Sequence, residues 1–185
     1  VVIGSGGGGL TAALVAHERG LTAIVVEKQA MLGGSTAMSG GVLWLPCNPL
    51  LERAGVPDDL ESARAYLDAL ASGDDTENLK RRREAFLRAS PRMVEFLEAQ
   101  GLRFYWCDGY SDYYDDLPGG CARGRAIAAC MLPDRQLGDW RERLLQLPGW
   151  NLPVQTDEFA ALSLAGRTWR SRLVAARVSG RLLWQ

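Results

Sequence analysis

The sequence is short of the residues that build metal centres and disulfide frameworks. It has a single histidine, His17, and four cysteines, Cys47, Cys107, Cys121 and Cys130, separated by 60, 14 and 9 residues. No Cys-x-x-Cys pair exists, and His17 lies far from the thiols along the chain. A metal site is therefore not expected, and free thiols in a reducing compartment are. That reading places the protein in the cytoplasm, with membrane association left open. No apolar run reaches the roughly 18–20 residues that span a bilayer. Net charge is −1, from 21 Lys and Arg against 22 Asp and Glu, so nothing steers the chain as a whole toward nucleic acid. Repeats and low-complexity linkers are absent. The final stretch, Arg167 to Gln185, holds five arginines and no acid. Without a binding fold or a positive overall charge it reads as an amphipathic surface helix. The chain begins at Val1 rather than Met, three residues before a glycine turn, so a fragment of a longer protein is expected.

What remains is an ordinary globular composition, 47% apolar and 23% charged over 185 residues, enough for one good-sized core. The first 41 residues organise it. Val1-Val2-Ile3 reads as the end of a buried strand, Gly4-Ser5-Gly6-Gly7-Gly8-Gly9 as a turn, and Leu10 to Arg19 as a helix closed by Gly20. Leu21 to Val26 is a second strand, ending at Glu27. The turn carries G-x-G-x-x-G at Gly4, Gly6 and Gly9. Gly4 permits the tight turn, Gly6 lets backbone approach a pyrophosphate, and Gly9 lets the helix pack on the strand. Gly7 and Gly8 complete a helix N-terminus whose free N–H groups favour phosphate. Glu27 follows Gly9 by 18 residues, where a carboxylate accepts from an adenosine ribose and would repel a 2′-phosphate. A ligand-free glycine turn is the plain alternative. Agreement of strand, helix and acid decides for a dinucleotide.

A second cluster, Gly33-Gly34-Ser35-Thr36-Ala37-Met38-Ser39-Gly40-Gly41, favours FAD over NAD. It gives a loop with backbone and hydroxyl donors for a long cofactor. Here the sequence resembles a known family. "VVIGSGGGGLTAALVAHERGLTAIVVEK" with "GGSTAMSGGVLWLP" is similar to flavoproteins related to fumarate reductase, and within them to the 3-ketosteroid dehydrogenases. The resemblance implies that Gly33, Gly34, Ser35, Thr36, Ser39, Gly40 and Gly41 run along the FAD pyrophosphate and ribityl chain. Lys28, beside Glu27, joins the cofactor-binding set.

The middle of the chain is read from its punctuation. Val42 to Pro46 is a strand or extended segment beneath the cofactor. Cys47 stands where the family usually has Asn. Asn48-Pro49 reads as a turn and Gly55-Val56-Pro57 as a loop. Asp58 starts a helix with Glu61 in a capping-box position; its stripe is Ala63, Tyr66, Leu67 and Leu70, and Gly73 ends it. Thr76 caps the next helix, with Leu79, Phe86 and Leu87 facing the core and Lys80 to Arg83 on a solvated face. Ser90-Pro91 starts another helix carrying Met93, Val94, Phe96 and Leu97, closed by Gly101. Leu102 to Trp106 has strand composition. Later, Asp139 caps a helix with Trp140, Leu144 and Leu147, ended by Pro148-Gly149. Thr156 starts one that buries Phe159 and Leu162.

Between these lies Asp108-Gly109-Tyr110-Ser111-Asp112-Tyr113-Tyr114. Three tyrosines in five residues cannot all enter a core without phenol partners. They form either a packed aromatic loop or the lining of a substrate site. "GYSDYY" followed by "GRAI" resembles the ketosteroid dehydrogenase pattern, although Ala126 stands where the family often has Ser. The resemblance implies Tyr110 as a pocket-lining aromatic and Tyr113 as the active-site phenol, supporting a base tyrosine beyond this chain.

The expectation is an α/β fold: residues 1–185 form the N-terminal part of an incomplete Rossmann-type FAD-binding domain with inserted helices. The substrate-binding domain and the closing half of the FAD site lie elsewhere. The resemblance implies C1–C2 desaturation of a 3-ketosteroid, with hydride passing to flavin N5. Its partners would be a small, apolar, steroid-like carbonyl substrate and an external electron acceptor, with no nucleic acid and no metal. Two rivals stand beside it: a fumarate-type reductase or dehydrogenase of the same superfamily, and a truncated nucleotide-binding module without turnover.

Overall fold

Two residues of strand and a long helix begin the structure, a computed structural model that describes residues 1–71, 73, 76–146, 154–163 and 167–183. The chain divides into two units, Val1–Gly41 with Met131–Gln185, and Val42–Cys130. It mixes helices with parallel and antiparallel strands, an α/β fold.

In the first unit, β1 (Val2–Ile3) pairs in parallel with β2 (Val25–Val26), Val2 opposite Val25 and Ile3 opposite Val26. Helix α1 (Gly7–Glu18) connects them. The helix starts three residues earlier than Leu10, because Gly7, Gly8 and Gly9 form its first turn. The second strand is shorter than expected, confined to Val25 and Val26. Nor is β1 buried: Ile3 is 90% exposed. A parallel strand hides its side chains only when both faces are covered, and a two-stranded sheet with one connecting helix covers little. His17 lies exposed on α1.

The second glycine cluster holds the short helix α2 (Gly34–Ala37). Leu32 bridges Leu144, with Leu32 N–H on Arg143 O at 2.7 Å and Leu145 N–H on Leu32 O at 2.8 Å. The segment expected to be a helix capped by Asp139 is instead two 3₁₀ stretches, Asp134–Gln136 and Gly138–Arg143. Asp139 lies inside the second, and Trp140 is exposed beneath the Arg143 guanidinium at 5.3 Å. Leu147 and Pro148-Gly149 lie outside the described residues. Helix α6 (Thr156–Ser163) starts at Thr156 as expected, but it buries Glu158 rather than Phe159. Glu158 accepts two hydrogen bonds from Arg181, at 2.6 and 2.8 Å, on helix α7 (Trp169–Leu183). Helix α7 is amphipathic, with Val178 buried and Trp169 and Leu173 exposed.

The second unit is built on an antiparallel sheet of β3 (Val42–Trp44), β5 (Ala126–Ala129) and β4 (Phe104–Trp106), with β5 central. Leu43 and Trp106 both stand opposite Ile127. Leu45, Leu50, Val94 and Ile127 form the core, flanked by Leu43, Met93, Phe104 and Trp106. Helix α3 (Pro49–Arg53) replaces the turn expected at Asn48-Pro49. Asn48 is its N-cap, accepting from Leu50 and Leu51 N–H, and Pro49 sits where a missing N–H costs nothing. The cap of helix α4 (Leu60–Leu70) is Asp59, which accepts from Ser62 N–H at 2.8 Å. Asp58 was the expected cap, but its carboxylate is committed to Arg125.

Helix α5 (Glu77–Ala99) is capped by Thr76 and runs straight through Pro91, where a second helix start was expected. The reason is its inner face. Leu87, Ser90, Val94 and Leu97 recur at helical spacing and are all buried, and that packing outweighs the one hydrogen bond proline removes. Ser90 Oγ donates to Phe86 O at 2.7 Å. Leu79 and Phe86 lie nearer solvent than expected, although Phe86 stacks on Trp44 with centroids 6.1 Å apart. Of the basic run, Lys80, Arg81 and Arg82 are exposed and Arg83 reaches Asp68 at 3.3 Å.

Candidate functional site

The glycine turn is built by close approach. Gly4 has φ +93° and donates to Val26 O at 2.7 Å, which carries the sheet into the turn. A Cβ on Gly9 would collide with Gly4 O, so only glycine lets α1 sit this close to β1. Gly6 differs. Its φ of −69° suits any residue, and a Cβ there would meet only Thr36 Oγ1 at 3.6 Å and Gly33 O at 3.7 Å. A Cβ on Gly8 would meet nothing within 4 Å. The protein's own packing does not require glycine at these two positions. A ligand pressed against the backbone would.

Ser5 ties this turn to the second glycine cluster. It is 1% exposed. Its N–H and Oγ donate to Glu27 Oε2 at 2.9 and 2.7 Å, and its Oγ accepts from Gly33 N–H at 2.9 Å. Glu27 Oε1 accepts from Gln29 N–H at 3.0 Å. The Ser5 hydroxyl, then the Ser5 and Gln29 N–H groups, hold the Glu27 carboxyl down at about 2. Glu27 is therefore ionised at neutral pH and is a structural clasp as well as a ribose candidate. Sequence reading left Ser5 without a role. The x of G-x-G was the available signal, a small hydroxyl next to an acid-terminated strand.

A second stitch joins the clusters. Thr36 Oγ1 accepts from Gly7 N–H at 3.0 Å, so the amide of Gly7 is used within the protein. Those of Gly8 and Gly9, in the first turn of α1, have no carbonyl four residues back to bond. No side chain caps the helix at Gly6. Ser39 Oγ donates to Thr36 O at 2.8 Å and accepts from Gly41 N–H at 3.2 Å, while Gly40 O accepts from Thr156 Oγ1 at 2.8 Å. Gly33 is buried; Lys28, Ser35, Thr36, Ser39 and Gly40 are exposed. Gly34 lies against Gly6, where its Cβ would come 3.8 Å from Gly6 Cα. The structure thus brings Gly4 to Gly9, Glu27 and Gly33 to Gly41 into one surface rich in N–H and hydroxyl groups. That donor set, with an uncapped helix start and room for a Cβ at Gly6 and Gly8, fits the phosphates of a dinucleotide.

The tyrosine loop belongs to the second unit. None of its tyrosines is packed inside: Tyr113 is 89% exposed, and Tyr110 and Tyr114 lie at the surface. Tyr113 meets Tyr114 edge to face, centroids 4.8 Å apart. Under them sit three charged residues that the sequence did not single out as a set. Arg125, 2% exposed, donates from Nε to Asp58 Oδ1 at 2.8 Å and from Nη1 to Asp112 Oδ2 at 2.6 Å and Gly119 O at 2.8 Å. Asp112 Oδ1 accepts from Trp44 Nε1 at 2.7 Å. The available signal was an arginine beginning a strand of small apolar residues, Arg125 before Ala126 to Ala129. Cys47, beside this cluster, has φ +53°, and its N–H donates to Asp58 Oδ2 at 2.7 Å. Burial, then the Asp58 charge, pushes its thiol up to about 11.

Comparison with known proteins agrees with the donor surface of the first unit. Residues 1–182 match the family model described as FAD binding domain. The chain is 40% identical over 188 residues to the 3-oxosteroid 1-dehydrogenase of Mycobacterium tuberculosis H37Rv, an alignment covering 100% of this chain and 33% of that protein. It is 40% identical over 128 residues to the 4-oxocyclohexanecarboxylate 2-dehydrogenase of Sinomonas cyclohexanicum, covering 69% of this chain and 22% of that protein. Among solved structures it superposes on the 3-ketosteroid delta1-dehydrogenase of Sterolibacterium denitrificans, in complex with 1,4-androstadiene-3,17-dione, with a TM-score of 0.85 and 33% identity. That match covers 97% of this chain and 32% of the other. The chain spans about a third of the length of these steroid dehydrogenases. With its stitched glycine clusters and a family match over nearly its whole length, the chain belongs to the FAD-binding domain family.

Proposed function

We propose that the chain is the N-terminal part of a Rossmann-type FAD-binding domain in a dehydrogenase that desaturates the C1–C2 bond of a 3-ketosteroid. Two similarities support the reading: the whole chain aligns with 3-oxosteroid 1-dehydrogenases, and its fold superposes on one. The observation that carries it is Tyr113, a phenol held out at the surface on a loop whose flanking residues are buried or hydrogen-bonded.

In this reading Gly4, Gly6, Gly7, Gly8 and Gly9 form the pyrophosphate turn, with amides from the first turn of α1 as donors. Glu27 accepts from the adenosine ribose, with Lys28 beside it. Gly33, Gly34, Ser35, Thr36, Ser39, Gly40 and Gly41 follow the cofactor toward its ring. When bound, FAD would supply the two-electron acceptor, with an external electron acceptor as a further partner. Tyr113 acts on the proton. A phenol with an ordinary pKa of about 10 is a weak base at neutral pH, so its task is to share a hydrogen bond with a second phenol that takes the C2 proton. Tyr110 shapes an apolar pocket for the ring ketone. The reducing interior of the cell suits four cysteines that form no disulfide among the described residues.

Tyr113→Phe tests the reading because it keeps the ring and removes the hydroxyl. In a full-length, FAD-loaded form, kcat on a 3-ketosteroid should fall by at least about 100-fold, the usual scale of acid–base assistance. Flavin content and melting temperature should hold. Normal turnover would reduce the loop to a packing feature. A second substrate reading follows from the cyclohexanecarboxylate dehydrogenase, which matches at the same identity over a shorter span. Comparing kcat/KM for a 3-ketosteroid and for 4-oxocyclohexanecarboxylate separates the two.

A further inference from the structure

We infer that Asp112 and Arg125 are positioning residues for Tyr113, a role that rests on Tyr113 being the active-site phenol. Tyr113 itself is exposed and touches Tyr114, so its own contacts do little to fix it. Its neighbours in the chain do. Asp112 is fully buried at its side chain and makes four hydrogen bonds: its carboxylate accepts from Trp44 Nε1 at 2.7 Å, Arg125 Nη1 at 2.6 Å and Cys121 N–H at 3.1 Å, and its own N–H donates to Cys121 O at 3.0 Å. On the other side, Tyr114 N–H donates to the Tyr66 hydroxyl at 3.2 Å. The chain therefore enters and leaves Tyr113 through residues anchored to β3 and α4.

Arg125 ties the two legs of the loop together. One nitrogen, Nη1, holds Asp112 on the outgoing leg and Gly119 O on the returning leg. Its Nε holds Asp58, and the guanidinium lies 5.9 Å from the Trp44 ring centroid and 6.0 Å from that of Tyr66. Only a planar fork of donors makes these bonds in different directions at once. A buried ion cluster of two acids and one base is a poor way to gain stability, since an apolar core of equal volume does as well. What it supplies is one geometry in place of many. That geometry is spent on the segment around Tyr113.

The experiment is a double-mutant cycle on the full-length, FAD-loaded protein. Asp112→Asn keeps the shape and the acceptor for Trp44 but removes the charge facing Arg125. On its own it should lower kcat at least tenfold with flavin content unchanged. Combined with Tyr113→Phe it should lower kcat less than twofold further, because its effect runs through the Tyr113 hydroxyl. Equal losses in both backgrounds would overturn the inference. Trp44→Phe, which deletes only the indole donor, should give a smaller loss with the same dependence on Tyr113, and it replaces Asp112→Asn should that variant not fold. Amide hydrogen exchange gives a readout free of substrate. In either variant the amides of Asp112 and Tyr114, which donate to Cys121 O and the Tyr66 hydroxyl, should exchange at least tenfold faster while those of β5 stay protected. Unchanged exchange there would overturn the positioning role even with turnover intact. Accelerated exchange in a protein inactive on steroids would leave the positioning role standing and remove the substrate.

Discussion

The glycine-turn unit and the tyrosine-loop unit solve the same problem, holding a chain segment in one place, by opposite means. In the first, small residues bring backbone to backbone, and short hydroxyl side chains, Ser5 and Thr36, bridge the gap. In the second, charged side chains from loop positions far apart in sequence meet at Arg125. A backbone-built site is written in composition and spacing over about forty residues. The side-chain-built one joins Trp44, Asp58, Asp112 and Arg125, spread over 82 positions of sequence, and shows only once the chain is folded.

The sharpest way to break the comparison is to remove the centre of the second unit. Arg125→Met leaves Asp58 and Asp112 buried without their cation, and the loss should be about 3–5 kcal/mol, read from urea unfolding. The first unit should answer to shape rather than charge. Gly9→Ala drives a Cβ into Gly4 O and should cost about 3 kcal/mol or fail to fold. Gly6→Ala, with ordinary contacts in the protein, should fold within about 1 kcal/mol of the parent and yet retain less FAD, which flavin absorbance after purification measures. If Gly6→Ala purified with full flavin, the phosphate turn would not use that position.

Glu27 sharpens the contrast through pH. Its folded-state carboxyl is held at about 2, below the ordinary 4.5. The stabilisation from its clasp on Ser5 is therefore present above pH 4.5 and is lost as pH falls toward 2. Thermal unfolding of the parent should show that acid arm, and Glu27→Gln should flatten it. The smallest effect concerns Cys47. A non-glycine residue at φ +53° carries left-handed strain of about 1–2 kcal/mol, which Asn tolerates better. Cys47→Asn should raise stability by up to about 1 kcal/mol, visible as a shift in denaturation midpoint at constant m-value.

The two units differ in the same way in how far they could be read from sequence. The G-x-G-x-x-G turn, the cap at Thr76 and the helix start at Thr156 were legible because each depends on neighbours a few residues away. Asn48 and Asp59 were misread for lack of tertiary information: the choice between Asp58 and Asp59 as cap depends on Arg125, 67 positions beyond Asp58. Ser90-Pro91 looked like a start because proline is tolerated there. Which of its two allowed uses applied was decided by the burial of Leu87, Ser90, Val94 and Leu97 along one helix face. Phe159 was expected inside on hydrophobicity alone, and the Glu158 pair with Arg181 took that face.

The proline within α5 also bears on how this helix opens. Without an N–H, Pro91 cannot bond the Leu87 carbonyl, so the ladder has a gap at one turn. Cooperativity along a helix passes from bond to bond, and a missing rung divides it. The stretch from Glu77 to Ser90 carries most of the exposed basic residues and rests on the core chiefly through Leu87, while that from Pro91 to Ala99 is pinned by Val94 and Leu97. The helix should therefore behave as two blocks of unequal protection. The N-terminal block should exchange its amides through local opening, and the C-terminal block only through unfolding of the whole unit.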